Sequence, residues 1–235
     1  MICSKCKKPY LFISEENPDY LKCRRCGNRQ PFALPDYSGY HSVFYDKPYR
    51  RDAKTDPQMK EILRRLHVRP SERVLDIGCG PGDYTAELAG ASNNTTGIDL
   101  DVELAKRKHK ELDFIGHDCN KGPLPFGDSS IDVIVSINLI EHLRYPEKFL
   151  EECRRVLREN GRIAITSANL DFFLHDYFFD KTHLREWRLG EFSRIAGRYF
   201  KVGVAKKSSS MFNYYPYNFF LVNFLKPDLL IVGKK

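Results

Sequence analysis

A chain of 235 residues is long enough for one full α/β domain and a small appendage. Its hydrophobic fraction of 42% and charged fraction of 29% are those of a globular protein and exclude a wholly disordered chain. The formal net charge of +7 leaves nucleic acid open as a partner without requiring it, because many basic proteins merely carry a solvated positive surface.

Targeting signals and cysteine usage predict a cytoplasmic location. The sequence has no run of eighteen apolar residues that would predict a transmembrane helix. The segment from Met1 to Cys6 lacks the apolar stretch of a signal peptide. Seven cysteines, an odd number without a secretion signal, favour reduced thiols over disulfides.

Four of the cysteines form two closely spaced pairs. Cys3-x-x-Cys6 and Cys23-x-x-Cys26 are separated by sixteen residues, which fits two knuckles joined by a β-hairpin. Four thiolates suit tetrahedral zinc, and Gly27 allows the tight turn of the second knuckle. The pattern resembles a zinc ribbon, and we predict one over residues 1–32 with structural zinc on all four cysteines. Redox chemistry and an iron–sulfur cluster are the less favoured alternatives.

The next segment, residues 33–55, is rich in tyrosine, proline and charge, and it predicts a linker or a lid. From Asp56 onward, strand-like apolar runs alternate with helical patterns, which predicts βαβ units around a parallel sheet over residues 56–235. The first pattern is an amphipathic helix, whose apolar positions are Met59, Ile62, Leu63 and Leu66.

Runs rich in valine and isoleucine predict strands that are buried on both faces. The clearest cover residues 73–77, 95–99, 131–136 and 162–166, and two closing strands are predicted at 199–204 and 229–232. Between the third and fourth runs, apolar residues at helical spacing predict a helix that ends at Asn160-Gly161, where positive φ is accessible.

A glycine-rich turn follows the first of these strands. The sequence Asp76-Ile77-Gly78-Cys79-Gly80-Pro81-Gly82 has glycine at every second position between a strand and a helix. Such a turn lets the backbone approach a ligand closely, and the helix N-terminus offers unpaired N–H groups. The dinucleotide fingerprint needs glycine where this chain has Asp83, so an NAD-binding oxidoreductase is only an alternative.

This turn and the segments after it resemble the class I S-adenosylmethionine-dependent methyltransferases of the Methyltransferase-11/UbiE-like branch. The resemblance rests on the D-I-G-C-G-x-G turn, on Asp99 after the second strand, and on residues 117–119, 124–132 and 137–143, with a weaker echo at 180–184. It implies a Rossmann-like, doubly wound, mostly parallel seven-stranded sheet. It also implies in-line transfer of a methyl group from S-adenosylmethionine to RNA or to a small molecule or lipid.

The resemblance also implies which residues bind the cofactor. Asp99 corresponds to the acid that accepts from both ribose hydroxyls, and Asp118 to the residue that contacts the adenine amino group. The full set implied is Asp76, Gly78, Cys79, Gly80, Gly82, Asp99, Leu100, Asp118, Cys119 and Asn138. For two of these residues a purely structural role remains an alternative: Asp76 could mainly organise the glycine turn, and Asp118 could be a simple turn residue.

No catalytic base is assigned, because the donor is intrinsically activated and the acceptor atom is unknown. His142 and His183 are the candidates for such a base, although a structural role is favoured for the Glu141-His142 pair. Asp180 and the aromatic run 214–220 are further acceptor-side candidates. An inactive partner subunit that only binds the cofactor is a third alternative, against which the intact glycines and Asp99 argue.

The acceptor is left open between RNA and a small molecule. Positions 1–30 contain seven Lys and Arg residues but only three acidic residues, and the linker adds the basic residues Lys47, Arg50, Arg51 and Lys54. Such a basic stretch could hold RNA, and aromatic residues could stack a splayed base. A small aromatic or lipid acceptor would use the aromatics and need none of the basic surface.

Overall fold

The computed structural model describes residues 5, 11–13, 20–23, 26–31, 53–171, 182–208 and 228–235. Near the N-terminus it contains a three-stranded antiparallel sheet with β2 in the centre. Its strands are β1 (Leu11–Ile13), β2 (Tyr20–Cys23) and β3 (Arg29–Pro31). Cys3, Cys6 and most of the predicted linker lie outside the described residues.

A larger sheet of seven strands forms the body of the protein. Its strands are β4 (Arg73–Ile77), β5 (Asn94–Asp99), β6 (Asp113–Gly116), β7 (Ile131–Ser136), β8 (Leu157–Ala168), β9 (Lys201–Ser208) and β10 (Asp228–Lys234). They lie in the order β6-β5-β4-β7-β8-β10-β9. Only β10 runs antiparallel to its neighbours, β8 and β9. The prediction of a mostly parallel seven-stranded sheet is confirmed.

Five α-helices are described around this sheet: α1 (Pro57–Leu66), α2 (Asp83–Ala89), α3 (Glu103–Lys108), α4 (Pro146–Val156) and α5 (Leu189–Ala196). A short 3₁₀ helix, Ile140–His142, follows β7. α1 is the amphipathic helix predicted before the first strand. It begins at Asp56, whose side chain accepts from the backbone N–H groups of Gln58 and Met59, and it ends where His67 adopts a left-handed conformation.

Two apolar layers sandwich the large sheet. On β4, Val74 packs in one layer with residues of α1 and α2, whereas Leu75 packs in the other with residues of α4 and α5. The two residues separate because successive side chains of a strand point to opposite faces. With both faces covered, the loops at the carboxyl ends of the strands are where a parallel sheet of this kind offers a ligand site.

The end of α4 differs from the prediction. The helix ends at Val156, and Leu157 already has the extended backbone of β8. Asn160 does adopt positive φ (64°), but within a bulge: Ile131 pairs with Leu157, and Val133 with Arg162. The left-handed residue that the sequence predicted is therefore used to loop out part of a strand rather than to end a helix.

Ordered packing extends to residues before Asp56, the predicted start of the large domain. Ala53 is buried and packs with residues of α1 in the core. Across the described ranges, no helix is long and apolar enough to cross a membrane.

Candidate cofactor-binding site

The glycine turn connects the end of β4 to the start of α2. Gly78, Gly80 and Gly82 all have positive φ, at 80°, 52° and 83°. A Cβ added at Gly82 would lie 2.8 Å from a ring carbon of Phe114, and one added at Gly78 would lie 3.0 Å from Leu139 Cβ. Glycine is therefore required here both by backbone conformation and by space.

Hydrogen bonds fasten this turn to the neighbouring strand β5. The N–H groups of Gly78 and Cys79 both donate to the carbonyl of Ile98, at 2.8 and 3.1 Å. The N–H of Gly80 donates to Asp99 Oδ2 at 2.8 Å. The carboxylate of Asp99 thus lies directly beside the turn. The next residue, Leu100, is 50% exposed, so an apolar side chain adjoins this carboxylate at the surface.

Asp76 lies beneath the turn and is buried. The hydroxyl of Thr85, on α2, donates to its Oδ2 at 2.6 Å. Burial raises the pKa of Asp76 to about 7, and the nearby charge of Asp99 acts in the same direction, whereas the bond from Thr85 opposes it. This contact joins β4 to α2, which supports the alternative that Asp76 organises the turn.

The residues implied after β6 lie one strand further along. Asp118 Oδ1 accepts from the N–H of Asn120 at 2.9 Å, and Oδ2 lies 3.2 Å from the ammonium of Lys121. Asp118 is thus a turn residue in this structure. Burial raises the pKa of the Cys119 thiol to about 12, so this thiol is neutral. The backbone remains close to the site, because the N–H of His117 donates to the carbonyl of Asp99.

Asn138 follows β7 with a positive φ of 50°. Its Oδ1 accepts from the hydroxyl of Thr166 at 2.6 Å, and its Nδ2 donates to Asp228 at 3.3 Å. The side chain therefore braces β7 against β8 and β10. The structure thus brings Asp76, the glycines and Asp99 close together, whereas the side chain of Asn138 contacts β8 and β10.

Residues 75–165 match a protein family described as Methyltransferase domain. This segment of the chain is therefore similar to methyltransferase domains. The O-methyltransferase rstn1 of Aspergillus nomiae is 32% identical over 144 residues, which are 56% of this chain and 63% of that protein. A Mycolicibacterium smegmatis protein, named as a probable S-adenosylmethionine-dependent methyltransferase, is 34% identical over 141 residues, 57% of this chain and 54% of that protein. The chain thus covers less than two thirds of either relative's length.

Solved structures agree on the fold. A chain of a Haloferax volcanii complex that contains the Trm112 methyltransferase activator superposes with a TM-score of 0.69 at 20% sequence identity. The match covers 86% of this chain and 99% of the Haloferax chain. At this level of identity the likeness shows a shared fold only.

The domain built on the large sheet also brings together the two histidines that were candidate bases. Their rings meet edge to face, with centroids 4.8 Å apart. His142 Nδ1 lies 3.3 Å from the carbonyl oxygen and 3.1 Å from the hydroxyl of Thr182. His183 Nδ1 lies 2.5 Å from Glu186 Oε1. Of the other acceptor-side candidates, Asp180 and residues 214–220 lie outside the described residues.

Glu141 is fully buried next to these rings. Its Oε1 accepts from the N–H of Ala168 at 3.0 Å, and its carbonyl accepts from the N–H groups of Leu184 and Arg185. Oε2 is buried and has no hydrogen-bond partner in the described part of the chain. Burial raises the pKa of Glu141 to about 7, and the neighbouring His183 moderates the rise.

Several residues of the candidate site were missed by the sequence analysis. Thr85 holds Asp76, Thr166 and Asp228 hold Asn138, and Glu186 contacts His183. Only Glu186 had a usable signal, since a carboxylate three residues after a histidine can reach back to it. The other partners come from distant parts of the chain and carry no local pattern.

Proposed function

We propose that this chain transfers the methyl group of S-adenosylmethionine to an acceptor, with the cofactor held by the glycine turn and Asp99. The observation that carries the proposal is the bond from the Gly80 N–H to Asp99 Oδ2, because it places a carboxylate beside a turn that only glycine can form. When bound, the cofactor supplies a sulfonium-activated methyl group, and S-adenosylhomocysteine is the leaving group.

Each residue of the turn has a distinct task in this proposal. The three glycines let the backbone approach the cofactor closely, and Asp99 accepts hydrogen bonds from the ribose hydroxyls. The exposed side chain of Leu100 offers an apolar surface to the adenine ring. Asp76 supplies negative charge behind the turn when ionised. The rate then comes mainly from aligning donor and acceptor and from excluding water.

The remaining implied residues keep secondary tasks. Asp118 is proposed for the adenine amino group, because a carboxylate oxygen already bound within its own turn can accept a second hydrogen bond. Cys79 and Cys119 line the site as neutral thiols, since burial raises the pKa of both. Asn138 acts by holding the loop after β7 against the sheet.

Titration calorimetry with S-adenosylmethionine, S-adenosylhomocysteine and NAD tests the proposed function. We expect binding of the first two ligands and none of NAD. Asp99→Ala should weaken S-adenosylmethionine binding by about 1.5–3 kcal/mol, because it removes a charged acceptor. Asp99→Asn is the matched control for the turn, since its amide oxygen still accepts from the Gly80 N–H.

The Asn variant should keep the turn folded and lose only part of the affinity. Binding of NAD alone would replace the proposal with an oxidoreductase. Binding of S-adenosylmethionine without methyl transfer into any fraction of a cell extract would favour the inactive partner subunit. Unchanged affinity in Asp99→Ala would remove Asp99 from the site.

We also propose that Cys3, Cys6, Cys23 and Cys26 bind one structural zinc ion. Support comes from the second pair, which lies at the connection between β2 and β3. The N–H of Gly27 donates to the carbonyl of Cys23 at 2.8 Å, and Gly27 has a φ of 68°. The Cys23 N–H in turn donates to the carbonyl of Asn28. This tight turn is the local conformation that a metal-binding knuckle needs.

The acceptor is proposed to be RNA or a small molecule, and salt dependence separates the two. On α1, the exposed Arg64 and the half-exposed Arg65 both form ion pairs with Glu61. The ammonium of Lys206, on β9, lies 3.3 Å from Oε1 of the same Glu61. Three bases around one acid leave this patch positive. RNA held by it should bind more weakly as salt rises, because each phosphate contact releases counterions. Undetectable or salt-independent binding to total RNA would favour the small-molecule acceptor.

A further inference from the structure

Three side chains of the kind that bind metal ions lie close together in the domain built on the large sheet. Glu141 and His142 come from the 3₁₀ helix after β7, and His183 comes from the segment before α5. One ligand atom from each side chain lies within 4.8 Å of the other two. Two histidines and one carboxylate are a common ligand set for divalent transition metals.

The carboxylate of this cluster is incompletely satisfied. Glu141 Oε1 accepts from the N–H of Ala168, but Oε2 is buried without a hydrogen-bond partner in the described ranges. A buried carboxylate oxygen is normally hydrogen-bonded, paired with a cation or bound to a metal, because its desolvation is otherwise uncompensated. A cation at this position would supply the missing contact.

The two histidines are oriented as metal ligands usually are. Oxygen atoms of Thr182 contact His142 Nδ1, and the buried carboxylate of Glu186 contacts His183 Nδ1. A metal-bound histidine typically gives one ring N–H to such a carbonyl or carboxylate, which fixes the ring and directs the other nitrogen at the metal. With Nδ1 of each ring in these contacts, Nε2 is the nitrogen that we assign as the metal ligand.

We propose that Glu141, His142 and His183 bind a first-row divalent transition-metal ion, such as Zn²⁺ or Co²⁺, through Glu141 Oε2 and the two Nε2 atoms. Bonds of about 2.1 Å at tetrahedral angles place two ligand atoms about 3.4 Å apart. The ligand atoms of this cluster lie within 4.8 Å of one another, so metal binding requires side-chain rotations that bring them closer by up to about 1.4 Å. Imidazole ligands favour such metals over Mg²⁺ and Ca²⁺.

The position of the cluster suggests what the metal does. A Cβ added at Gly78 would lie 3.0 Å from Leu139 Cβ, so Leu139 adjoins the glycine turn, and the 3₁₀ helix carrying Glu141 and His142 begins at the next residue. Three protein ligands leave coordination positions open for an oxygen atom of the methyl acceptor. A metal-bound hydroxyl ionises more readily, which favours an acceptor that is methylated on oxygen. This assignment of a role rests on the proposed function, whereas the metal site does not.

Cobalt titration followed by absorption spectroscopy tests the site without any cofactor or acceptor. Co²⁺ on the cysteine thiolates gives intense sulfur-to-metal charge-transfer bands, whereas Co²⁺ on nitrogen and oxygen gives only weak visible bands. We expect a Co²⁺ site that gives only weak visible bands and from which excess Mg²⁺ does not displace the cobalt. Glu141→Gln should weaken it at least roughly tenfold, since the amide keeps an acceptor for the Ala168 N–H but loses the charge.

Two further variants make the outcome decisive. His183→Gln should weaken the same site, while Glu147→Gln, which removes a neighbouring carboxylate paired with Arg185, should leave it unchanged. Absence of the weak-band Co²⁺ site, or equal binding in Glu141→Gln and the wild type, would overturn the proposal. Circular dichroism checks that each variant is folded. If His183→Gln is unfolded, the result with Glu141→Gln alone decides the test. Calorimetry with S-adenosylmethionine on the same proteins reports the proposed function separately.

Discussion

At the scale of single residues, the ionisable carboxyl group of Asp76 is shielded from water. Its carboxyl is buried under the glycine turn, and the hydroxyl of Thr85 donates to it. Burial raises its pKa from 3.8 to about 7, with Asp99 adding to the rise. Because the unfolded carboxyl ionises at the lower pH, the protonated form of Asp76 is favoured by folding.

This raised pKa sets the sign of a pH dependence. The contribution of Asp76 to stability is fully present below pH 3.8 and is lost as the pH rises through about 7. Between these values it changes by on the order of 1.4 kcal/mol per pH unit. In Asp76→Asn the amide oxygen still accepts from the Thr85 hydroxyl, but the side chain does not ionise. We therefore expect the free energy of unfolding of this variant to lack the decrease with rising pH that Asp76 causes. Urea unfolding of the cofactor-free wild type and variant at pH 5 and pH 8 measures it. Parallel pH profiles of the two proteins would contradict the assignment.

The sequence predicted those parts of the site that depend on residues close together in the chain. Positive φ at Gly78, Gly80 and Gly82 follows from glycine spacing, and the position of Asp99 follows from the end of a strand. The bond between Thr85 and Asp76 and the brace of Thr166 on Asn138 were not predictable. Serine and threonine hydroxyls are common, and their partners are decided by packing that only the folded chain shows.

At the scale of elements, the approach of the glycine turn to β6 decides which residues are tolerated. Gly82 has a φ of 83° at the start of α2, and a Cβ there would lie 2.8 Å from the ring of Phe114 on β6. A side chain at this position would both strain the backbone and push the turn away from the sheet. Gly122, by contrast, has nothing within 4 Å of an added Cβ.

We therefore expect Gly82→Ala to lower the free energy of unfolding by about 1–3 kcal/mol, the usual cost of a non-glycine residue in a left-handed conformation. It should also weaken S-adenosylmethionine binding, because the turn must move. Gly122→Ala is the matched control and should change neither quantity. Urea unfolding and calorimetry measure the two effects. Equal stability of the two variants would show that the turn has room for a side chain.

The elements themselves were predicted better than their ends. Five residues of β4 and six of β7 coincide with the predicted strands, since segments rich in valine and isoleucine suit a strand covered on both faces. The boundary between α4 and β8 was wrong because Asn160-Gly161 is compatible with a helix end and a bulge alike. The choice is made by pairing with β7 and by the ion pair of Arg158 with Asp132, both non-local.

At the scale of the whole molecule, the small sheet β1-β2-β3 and the seven-stranded sheet have separate hydrogen-bond ladders. A module of about thirty residues has too little core to be stable alone, so we attribute its folding to the proposed zinc. The large sheet has apolar layers on both faces and does not need that metal.

Zinc removal should consequently affect the two sheets differently. Metal analysis should find a zinc equivalent that is lost in Cys23→Ser and kept in Glu141→Gln. Thermal unfolding of the domain built on the seven-stranded sheet should be unchanged in Cys23→Ser, because none of the four proposed zinc ligands lies in its core. A lower melting temperature of that domain would show that the module supports it. Full zinc content in Cys23→Ser would refute the proposed ligand set.

The strand order has a consequence for the biogenesis of the protein. β10 lies between β8 and β9, although both precede it in the chain. Before β10 is available, β8 is an open edge with apolar side chains on both faces, and β9 has no hydrogen-bonded neighbour among the strands that the structure describes. Exposed edges of this kind recruit other strands. The half-made chain thus passes through a stage that is prone to aggregation, and synthesis of the last strand ends it by closing the gap.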